Sequence, residues 1–217
     1  MSRTLGCLAL MILLVGCSST YYAAWEKLGW AKRDILVDRV KDARDDQQAA
    51  KEQFASALEQ FQSVMNFEGG DLQAKYDKLS KAYERSADRA EAVSDRIESV
   101  EKVAKDLFAE WEQELKQYES DKLRAASEKQ LDETKEKYGV LISRMKAAES
   151  KMAPVLAVFK DQVLFLKHNL NAAAIASLQD TALEIEGDVA QLIKEMEASI
   201  NEANAFIDEM SKAPAAG

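Results

Sequence analysis

The sequence has few residues that interrupt helices and few that perform catalysis. Its 217 residues include two prolines, eight glycines, two cysteines and a single histidine, His168. A histidine-rich metal site needs several histidines in one chain, so this sequence excludes one. No G-x-x-x-x-G-K-[ST] motif occurs, which excludes a P-loop nucleotide site. We therefore expect a protein that is not an enzyme and that has no catalytic residues, no metal and no cofactor.

The chain has fewer basic than acidic residues. The chain has 29 Lys and Arg against 38 Asp and Glu, a formal net charge of −9. Such a surface repels nucleic acid and anionic lipid headgroups. We therefore expect no nucleic-acid partner, and we expect the body of the protein to stand off a membrane surface.

The most apolar run stands at the start of the chain. It covers residues 5–15 and follows the positive charge of Arg3. It is too short to span a bilayer as a helix, which needs about 20 apolar residues. Its charge, its length and the small residue that follows it are typical of a secretory signal peptide. We therefore expect residues 1–16 to be a signal that is removed.

Residues 14–17, with the sequence LVGC, resemble the lipobox of bacterial lipoproteins. In that family the thiol of the cysteine, here Cys17, receives a diacylglycerol. The signal is cut before the cysteine, and the new amine is acylated with a fatty acid such as palmitate. An ordinary signal peptide with an incidental cysteine is the alternative. The agreement of charge, length, small residues and cysteine favours lipid attachment at Cys17, with residues 17–21 as the tether.

The residue after the cysteine bears on the location. Ser18 rather than aspartate follows Cys17, which resembles the outer-membrane sorting signal of Gram-negative lipoproteins. Two or more acyl chains anchor a protein stably, whereas one binds marginally. Removal of the signal also removes Cys7, so the mature chain can form no internal disulfide. The expected location is the periplasmic face of the outer membrane, with the membrane as a partner through the lipid.

The body of the chain carries apolar residues at alternating spacings of three and four. Four such seams extend over residues 36–64, 76–118, 131–166 and 175–210. This spacing places its residues on one stripe of a helix. The abundance of Ala, Glu, Lys, Leu and Gln is typical of long helices and coiled coils. The sequence therefore predicts an all-α protein.

Segments between the seams favour turns. Gly69 and Gly70 break a helix and Asp71 can cap the next one. Ser120 gives a weaker signal, and the KHNLN segment at 167–171 ends a third helix. These turns predict an elongated up-down four-helix bundle, or antiparallel coiled coil. The expected parts of this bundle, over 22–210, are helices at about 22–66, 71–118, 121–169 and 172–210, followed by a disordered tail at 211–217.

The third helix has two particular features. Pro154 lies inside it and removes one backbone hydrogen bond, so we expect a kink there. Residues 154–166 are apolar over much of the helix circumference. We therefore expect this segment to be the most buried part of the bundle.

Alternating helix directions bring two turns together at the end farthest from the N-terminus. Phe67 and Glu68 precede one turn, and Phe165, His168 and Asn169 precede the other. These residues form a candidate partner-binding site at the distal tip. Polar capping of a tight turn is the alternative role of His168 and Asn169, and it is the one we favour.

The tryptophans lie toward the opposite, membrane-near end. Trp25 and Trp30 follow the tether, and Trp111 comes shortly before the second turn. One interpretation is an interfacial belt at the level of the lipid headgroups. The interpretation we favour is an aromatic layer of the core, because Trp111 falls on its seam.

Four stretches cover nearly the whole mature chain: YYAAWEKLGWAKRDILVDRV, FEGGDLQAKY, LFAEWEQELKQY and PVLAVFKDQVLFLKHNLNAAAIASLQ. Together they resemble an uncharacterised group of Gram-negative lipoproteins, domain-of-unknown-function family 2959. The resemblance implies no established activity.

These observations lead to two expectations for function. The first is a structural or adaptor role through protein–protein contacts, with an unidentified envelope protein as partner and a homo-oligomer as a further option. The alternative is a membrane-active or lipid-handling protein in which residues 152–170 open to meet lipid. An adaptor keeps its apolar stripes buried, whereas a lipid handler exposes them to a hydrophobic dye or to liposomes.

Overall fold

A computed structural model describes residues 32–67 and 69–212, and this part of the chain is helical without any strand. We number the helices in chain order. Their bounds are Lys32–Met65 (α1), Leu72–Glu114 (α2), Asp121–His168 (α3), Ala172–Ser177 (α4) and Gln179–Lys212 (α5), with a 3-10 turn at Leu115–Gln117. The all-α class predicted from the sequence is confirmed.

Local sequence explains how the chain turns between helices. Asp71, Ser120 and Asn171 are N-caps, whose side-chain oxygens accept hydrogen bonds from the backbone N–H three residues later at 3.0, 3.4 and 3.0 Å. Gly69 and Gly70 have φ angles of +141° and +103°, which residues with a Cβ atom rarely adopt. The reversal between α1 and α2 therefore depends on its two glycines.

The four long helices alternate in direction around a square. α1 packs against α2 and α5, and α3 packs against the same two helices. At one end of α1, Lys75 Nζ donates to the carbonyl oxygen of Ser63 at 2.8 Å. At the other end, Lys32 Nζ lies 2.7 Å from Glu110 Oε2. These two contacts make α1 and α2 antiparallel, and the short connections continue the alternation in the up-down bundle that the seams predict.

The seams form one continuous core. All nine residues of the first seam are buried: Leu36, Val40, Ala43, Gln47, Ala50, Phe54, Ala57, Phe61 and Val64. Phe61 of α1 and Phe159 of α3 meet edge to face across the diagonal of the bundle, with ring centroids 6.2 Å apart. The large, fully buried side chains come from all four long helices: Leu36, Phe54, Phe61, Leu79, Ile97, Leu141, Met145, Phe159, Leu166, Ile185, Leu192 and Met196.

The second helix ends earlier than predicted. α2 stops at Glu114 and continues as a 3-10 turn to Gln117, rather than as an α-helix to residue 118. A 3-10 helix has three residues per turn, so the side chains after Glu114 leave the buried stripe. Tyr118, which the seam placed in the core, is 39% exposed.

The predicted fourth helix, 172–210, is divided at Leu178. The backbone N–H of Leu178 donates to the carbonyl of Ile175, and that of Thr181 donates to the carbonyl of Leu178, both at 3.1 Å. These bonds span three residues instead of four and tighten the helix locally. Ile175 and Leu178 are both buried, so the tightened turn lets both contribute to the core.

The ends of the predicted domain fall largely outside the described residues. The expected signal, the tether and the first ten residues of the first predicted helix precede Lys32, and 213–217 follow the last described residue. The described part corrects the tail, because α5 continues to Lys212 where we expected disorder from residue 211.

Residues 154–166 are not the most buried segment, contrary to expectation. α3 passes through Pro154 as one helix, and the proline is exposed. Leu164 and Phe165 are 49% and 40% exposed. α3 packs against α2 and α5, so its outward side has no neighbour among residues 32–67 and 69–212, even where its side chains are apolar.

Charge placed in the core tests the seam assignment. Ile97→Asp and Leu192→Asp each put a carboxylate where the native side chain is at most 1% exposed. Burying an unpaired charge costs several kcal/mol, against a typical domain stability of about 5–15 kcal/mol. We expect both variants to melt far below the wild type in circular dichroism. Glu98→Ala, on the exposed side of α2, should change the free energy of unfolding by under about 0.5 kcal/mol. Aspartate variants that melt like the wild type would contradict the assignment.

Candidate functional site

The turn between α1 and α2 and the turn after α3 lie at the same end of the bundle, because α1 and α3 point in the same direction. We call this end the distal tip and the opposite end the base. Phe67 is half-buried at the tip and packs against the core. Lys75 Nζ lies 5.6 Å from the centroid of its ring, within the range of a cation–π contact. The aromatic ring is therefore held in place by its surroundings.

His168 and Asn169 end α3 at the tip. The backbone N–H of Asn169 donates to the carbonyl of Leu166 at 3.2 Å, and its side-chain Nδ2 donates to the carbonyl of Phe165 at 3.0 Å. His168 is exposed. Asn169 thus satisfies the last carbonyls of the helix, which supports a capping role for it, and His168 offers the more available side chain.

Three large apolar side chains are exposed near the tip. Leu164 and Phe165 in the last turn of α3 and Leu183 near the start of α5 are 49%, 40% and 76% exposed. Six large hydrophobic side chains are exposed in the described part of the chain, so half of them lie at this end. Phe165 was predicted from its place before a turn, whereas neither leucine was predicted, because both fall outside the apolar seams. Leu183 directly follows Ala182 of the fourth seam, and a leucine beside a seam is the sequence signal for an exposed apolar side chain of this kind.

Cysteine crosslinking tests the shared tip. In a soluble form that begins at residue 18 and contains no other cysteine, Asn66→Cys and His168→Cys should be joined by a short bifunctional thiol reagent. The matched pair Asn66→Cys and Ser120→Cys should not react, because α3 separates its two ends by roughly 70 Å of helix rise. Mass spectrometry of the product identifies the crosslink. Efficient joining of the second pair with none of the first would contradict the topology.

A small open cleft lies at the base. Trp111 is half-buried at its side, and its indole Nε1 donates to Ser127 Oγ at 2.8 Å, which joins α2 to α3. The cleft has a volume of about 180 Å³, below the roughly 300–1,000 Å³ of small-molecule sites. Its other walls include Arg33, Thr134, Lys137, Phe206, Glu209 and Met210. Trp111 therefore lies at the edge of the core and also borders solvent.

The two cations that line the cleft already have protein partners. Arg33 Nη2 donates to the carbonyl oxygen of Met210 at 2.5 Å, which ties the start of α1 to the end of α5. Lys137 forms an ion pair with Glu209, and its hydrogen bond to this carboxylate raises the pKa of Lys137. These contacts hold the helices together at the base. They also occupy the two cationic groups that could otherwise bind an anionic ligand.

Four of the predicted site residues have no described position. Cys17, Trp25, Trp30 and Glu68 lie outside the described residues. The lipid attachment, the role of the N-terminal tryptophans and the contribution of Glu68 to the tip therefore stay predictions.

An aromatic pair joins α2 to α3 between the base and the middle of the bundle. The rings of Phe108 and Tyr138 meet edge to face with centroids 5.4 Å apart. Lys135 Nζ lies 5.8 Å from the centroid of Phe108 and 2.5 Å from Glu112 Oε1. Burial raises the pKa of Tyr138 to about 12, and the negative charge of Glu101 adds to the effect.

The raised pKa of Tyr138 predicts a dependence of stability on pH. The pKa of an unfolded tyrosine is about 10, and that of Tyr138 in the native state is about 12. The neutral phenol therefore contributes stability below about pH 10, and this contribution is lost as pH rises to about 12. In urea unfolding across this range, Tyr138→Phe should lose less stability than the wild type. The control Tyr118→Phe, at the 39% exposed tyrosine, should follow the wild type, and identical curves for all three would contradict the prediction.

The described residues contain no group of three or more His, Cys, Asp or Glu side chains that could hold a metal ion. Within the same part of the chain, none of the helices combines the length and the apolarity that crossing a bilayer requires.

Comparison with known proteins gives a family without an assigned activity. A family model described as "Protein of unknown function (DUF2959)" matches residues 21–210. No curated protein and no solved structure matches the chain.

Proposed function

The chain belongs to the DUF2959 family, and we propose that it is a structural or adaptor lipoprotein on the periplasmic face of the outer membrane. A lipid on Cys17 anchors it, and its distal tip binds an envelope protein. The observation that carries the proposal is the group of exposed apolar side chains at the tip, Leu164, Phe165 and Leu183. Exposed apolar side chains that lie together are typical of sites of protein interaction, and Leu164 and Phe165 are adjacent in the last turn of α3.

The length of the bundle supports a role as a spacer. α3 has 48 residues, which corresponds to about 70 Å at 1.5 Å per residue. Lys32, the first described residue, lies at the base, and 14 residues separate it from Cys17. An anchor at Cys17 therefore joins the base and leaves the tip at the far end, where it can meet a partner.

The filled core supports partner binding over lipid handling. Opening residues 152–170 would expose Met152, Phe159 and Leu166, which are at most 2% exposed in the closed bundle. Each such side chain loses about 1.5–3 kcal/mol of stabilisation when it leaves the core. The cleft at the base, at about 180 Å³, is small for an acyl chain, since sites for small molecules have roughly 300–1,000 Å³.

A photoreactive amino acid tests the tip in intact cells. Placed at Phe165, it should form a discrete adduct with one protein, whereas the same group at Glu98 on α2 or at Leu123 near the base should not. The double change Leu164→Ser and Leu183→Ser should abolish the adduct while leaving the melting temperature unchanged, because both side chains are exposed. Equal adducts from Phe165 and Leu123 would contradict a tip-specific partner. Adducts with lipid instead of protein would favour the lipid-handling alternative.

Removal of the thiol tests the anchor independently of the tip. Cys17→Ala should prevent incorporation of a fatty-acid analogue and leave the signal uncut by the lipoprotein route, because no thiol remains to accept the diacylglycerol. Cys7→Ala is the matched control, since Cys7 lies within the expected signal and should not affect labelling. Metabolic labelling followed by gel analysis measures both. Equal labelling of Cys17→Ala and wild type would end the lipoprotein proposal.

A further inference from the structure

The outward side of α3 differs from that of α2. Between residues 140 and 157, the outward positions of α3, spaced by three and four, carry no charge. They are Val140, Ser143, Ala147, Ser150, Pro154 and Ala157, and we call them the neutral face. Five of the six are exposed, and Ala147 is half-buried. The outward positions of α2 from residue 81 to residue 112 are charged at nine of ten places, with Ala109 as the exception.

α5 extends this weakly charged surface beside the neutral face. Its exposed positions between residues 191 and 205 are Gln191, Lys194, Glu197, Asn201, Asn204 and Ala205, of which two are charged, and Glu197 pairs with Lys51 of α1. A solvated helix face is normally rich in charged residues. The adjoining outward sides of α3 and α5 therefore suit a protein contact better than exposure to water.

Two glycines border the same surface. Gly139 in α3 and Gly187 in α5 are exposed, and a Cβ atom built at either would meet nothing within 4 Å beyond its chain neighbours and the backbone of its own helix. A glycine inside a helix costs about 1 kcal/mol relative to alanine. No close packing among the described residues requires a glycine at either position. Close approach of a second molecule would explain why glycine is present.

The edge where α3 meets α5 carries opposite charges in register. Lys137 and Glu209 pair across it. The two helices are antiparallel. A position seven residues later in α3 than Lys137 is therefore level with a position seven residues earlier in α5 than Glu209. The pairs placed level in this way are Arg144 with Glu202 and Lys151 with Glu195. None of these four residues forms an ion pair within the described chain, although Glu195 accepts a hydrogen bond from Gln191 Nε2 at 2.8 Å.

The other three edges of the bundle are closed by short polar contacts. The contacts are Arg96 Nε to Asp46 at 2.7 Å between α1 and α2, Lys146 Nζ to Glu101 at 2.5 Å between α2 and α3, and Gln62 Nε2 to Glu186 at 2.8 Å between α1 and α5. The α3–α5 edge is closed in the same way at Lys137 and Glu209, and its two further level pairs of opposite charge remain available for a second molecule.

We propose that a second copy of the chain covers the neutral face and the adjoining side of α5 in a two-fold symmetric dimer. α3 has ten basic and seven acidic residues, a net charge of +3, and α5 has two basic and nine acidic residues, a net charge of −7. In the dimer, α3 of each copy lies on α5 of the other. Such an interface uses the same patch on both copies and is closed.

Charge also decides the direction of the symmetry axis. An axis parallel to the helices keeps every residue at its level, so Arg144 meets Glu202 of the second copy and Lys151 meets its Glu195. An axis across the helices would place α3 on α3 and α5 on α5. Like charges would then face each other, which costs several kcal/mol at an interface. The parallel axis also places both N-termini at the same end.

The available area suits a dimer of modest affinity. Residues 140–157 span about 27 Å, and two helices side by side are about 20 Å wide. The footprint is therefore about 550 Å² per copy, or about 1,100 Å² in total, near the lower end of specific interfaces. The dimer does not rest on the proposed tip partner, because Phe165 and Leu183 lie beyond this surface.

Sedimentation analysis of the soluble form that begins at residue 18 tests the dimer. Wild type and the matched control Ala109→Glu, on the charged face of α2, should dimerise equally. Ala157→Glu should weaken the dimer by about tenfold or more, because it buries an unpaired charge, and its melting temperature as a dilute monomer should be unchanged. A wild type that is monomeric up to about 1 mM, or an Ala157→Glu variant that dimerises like the control, would overturn the proposal.

A charge swap tests the ionic edge. Lys151→Glu alone should weaken the dimer, and adding Glu195→Lys should restore it, because the pair is again complementary between copies. Raising the salt concentration should weaken the wild-type dimer, since exposed ion pairs are screened. A double variant that is no better than Lys151→Glu would overturn the assignment of this edge.

Crosslinking between two differently labelled copies tests the axis. A chain with Ser150→Cys should be joined to a chain with Ala198→Cys, because these positions lie at nearly the same level when α3 rests on α5. Ser150→Cys chains should not be joined to each other. The reverse pattern would overturn the parallel axis.

Discussion

Each long helix has a single apolar stripe, and the rest of the structure depends on burying all four stripes at once. A side chain such as Phe54 or Leu192, with no exposed surface, contributes about 1.5–3 kcal/mol. An exposed ion pair such as Lys146–Glu101 contributes about 0–1 kcal/mol. Burial of the stripes therefore provides most of the stability of the bundle. The ion pairs influence the axial register between neighbouring helices. Reversal at Gly69 and Gly70 is the condition for the first stripe to meet the second.

One polar contact inside the core bears on the level of α1 against α5. Gln47 and Ser199 have no exposed surface, and Ser199 Oγ donates to Gln47 Oε1 at 2.8 Å. Gln47 Nε2 is buried without a partner in the described chain, which costs about 1–3 kcal/mol. A slip of one heptad would separate the two polar groups and leave both unsatisfied. We infer that the Gln47–Ser199 pair lowers the stability of the core but fixes the axial register of α1 against α5, as polar residues do at core positions of coiled coils.

The sequence was informative where a physical cause is local or periodic. The spacing of apolar residues predicted the buried residues of the first seam, and the Gly69-Gly70 turn follows from a backbone conformation that other residues avoid. The tightened turn at Leu178 has no glycine or proline to indicate it. Phe165 was named for its place near a turn, whereas the exposure of Leu164 depends on which sides of α3 have neighbours. Which sides of a helix are covered by neighbouring helices is decided by the assembled bundle. The apolar seam of a single helix does not show it.

Dimerisation along α3 and α5 and binding at the distal tip would be coupled. A dimer with its axis along the bundle places two distal tips side by side, each with Phe165 and Leu183 exposed beyond the dimer surface. A partner with two matching sites would then bind the second tip at a high effective concentration, which raises overall affinity by roughly 10²–10⁴ without any new contact. Weak contacts at each tip would suffice for firm binding, and an isolated monomer would bind poorly. Dimerisation through the weakly charged side of α3 would therefore increase the affinity with which the apolar tips bind the partner.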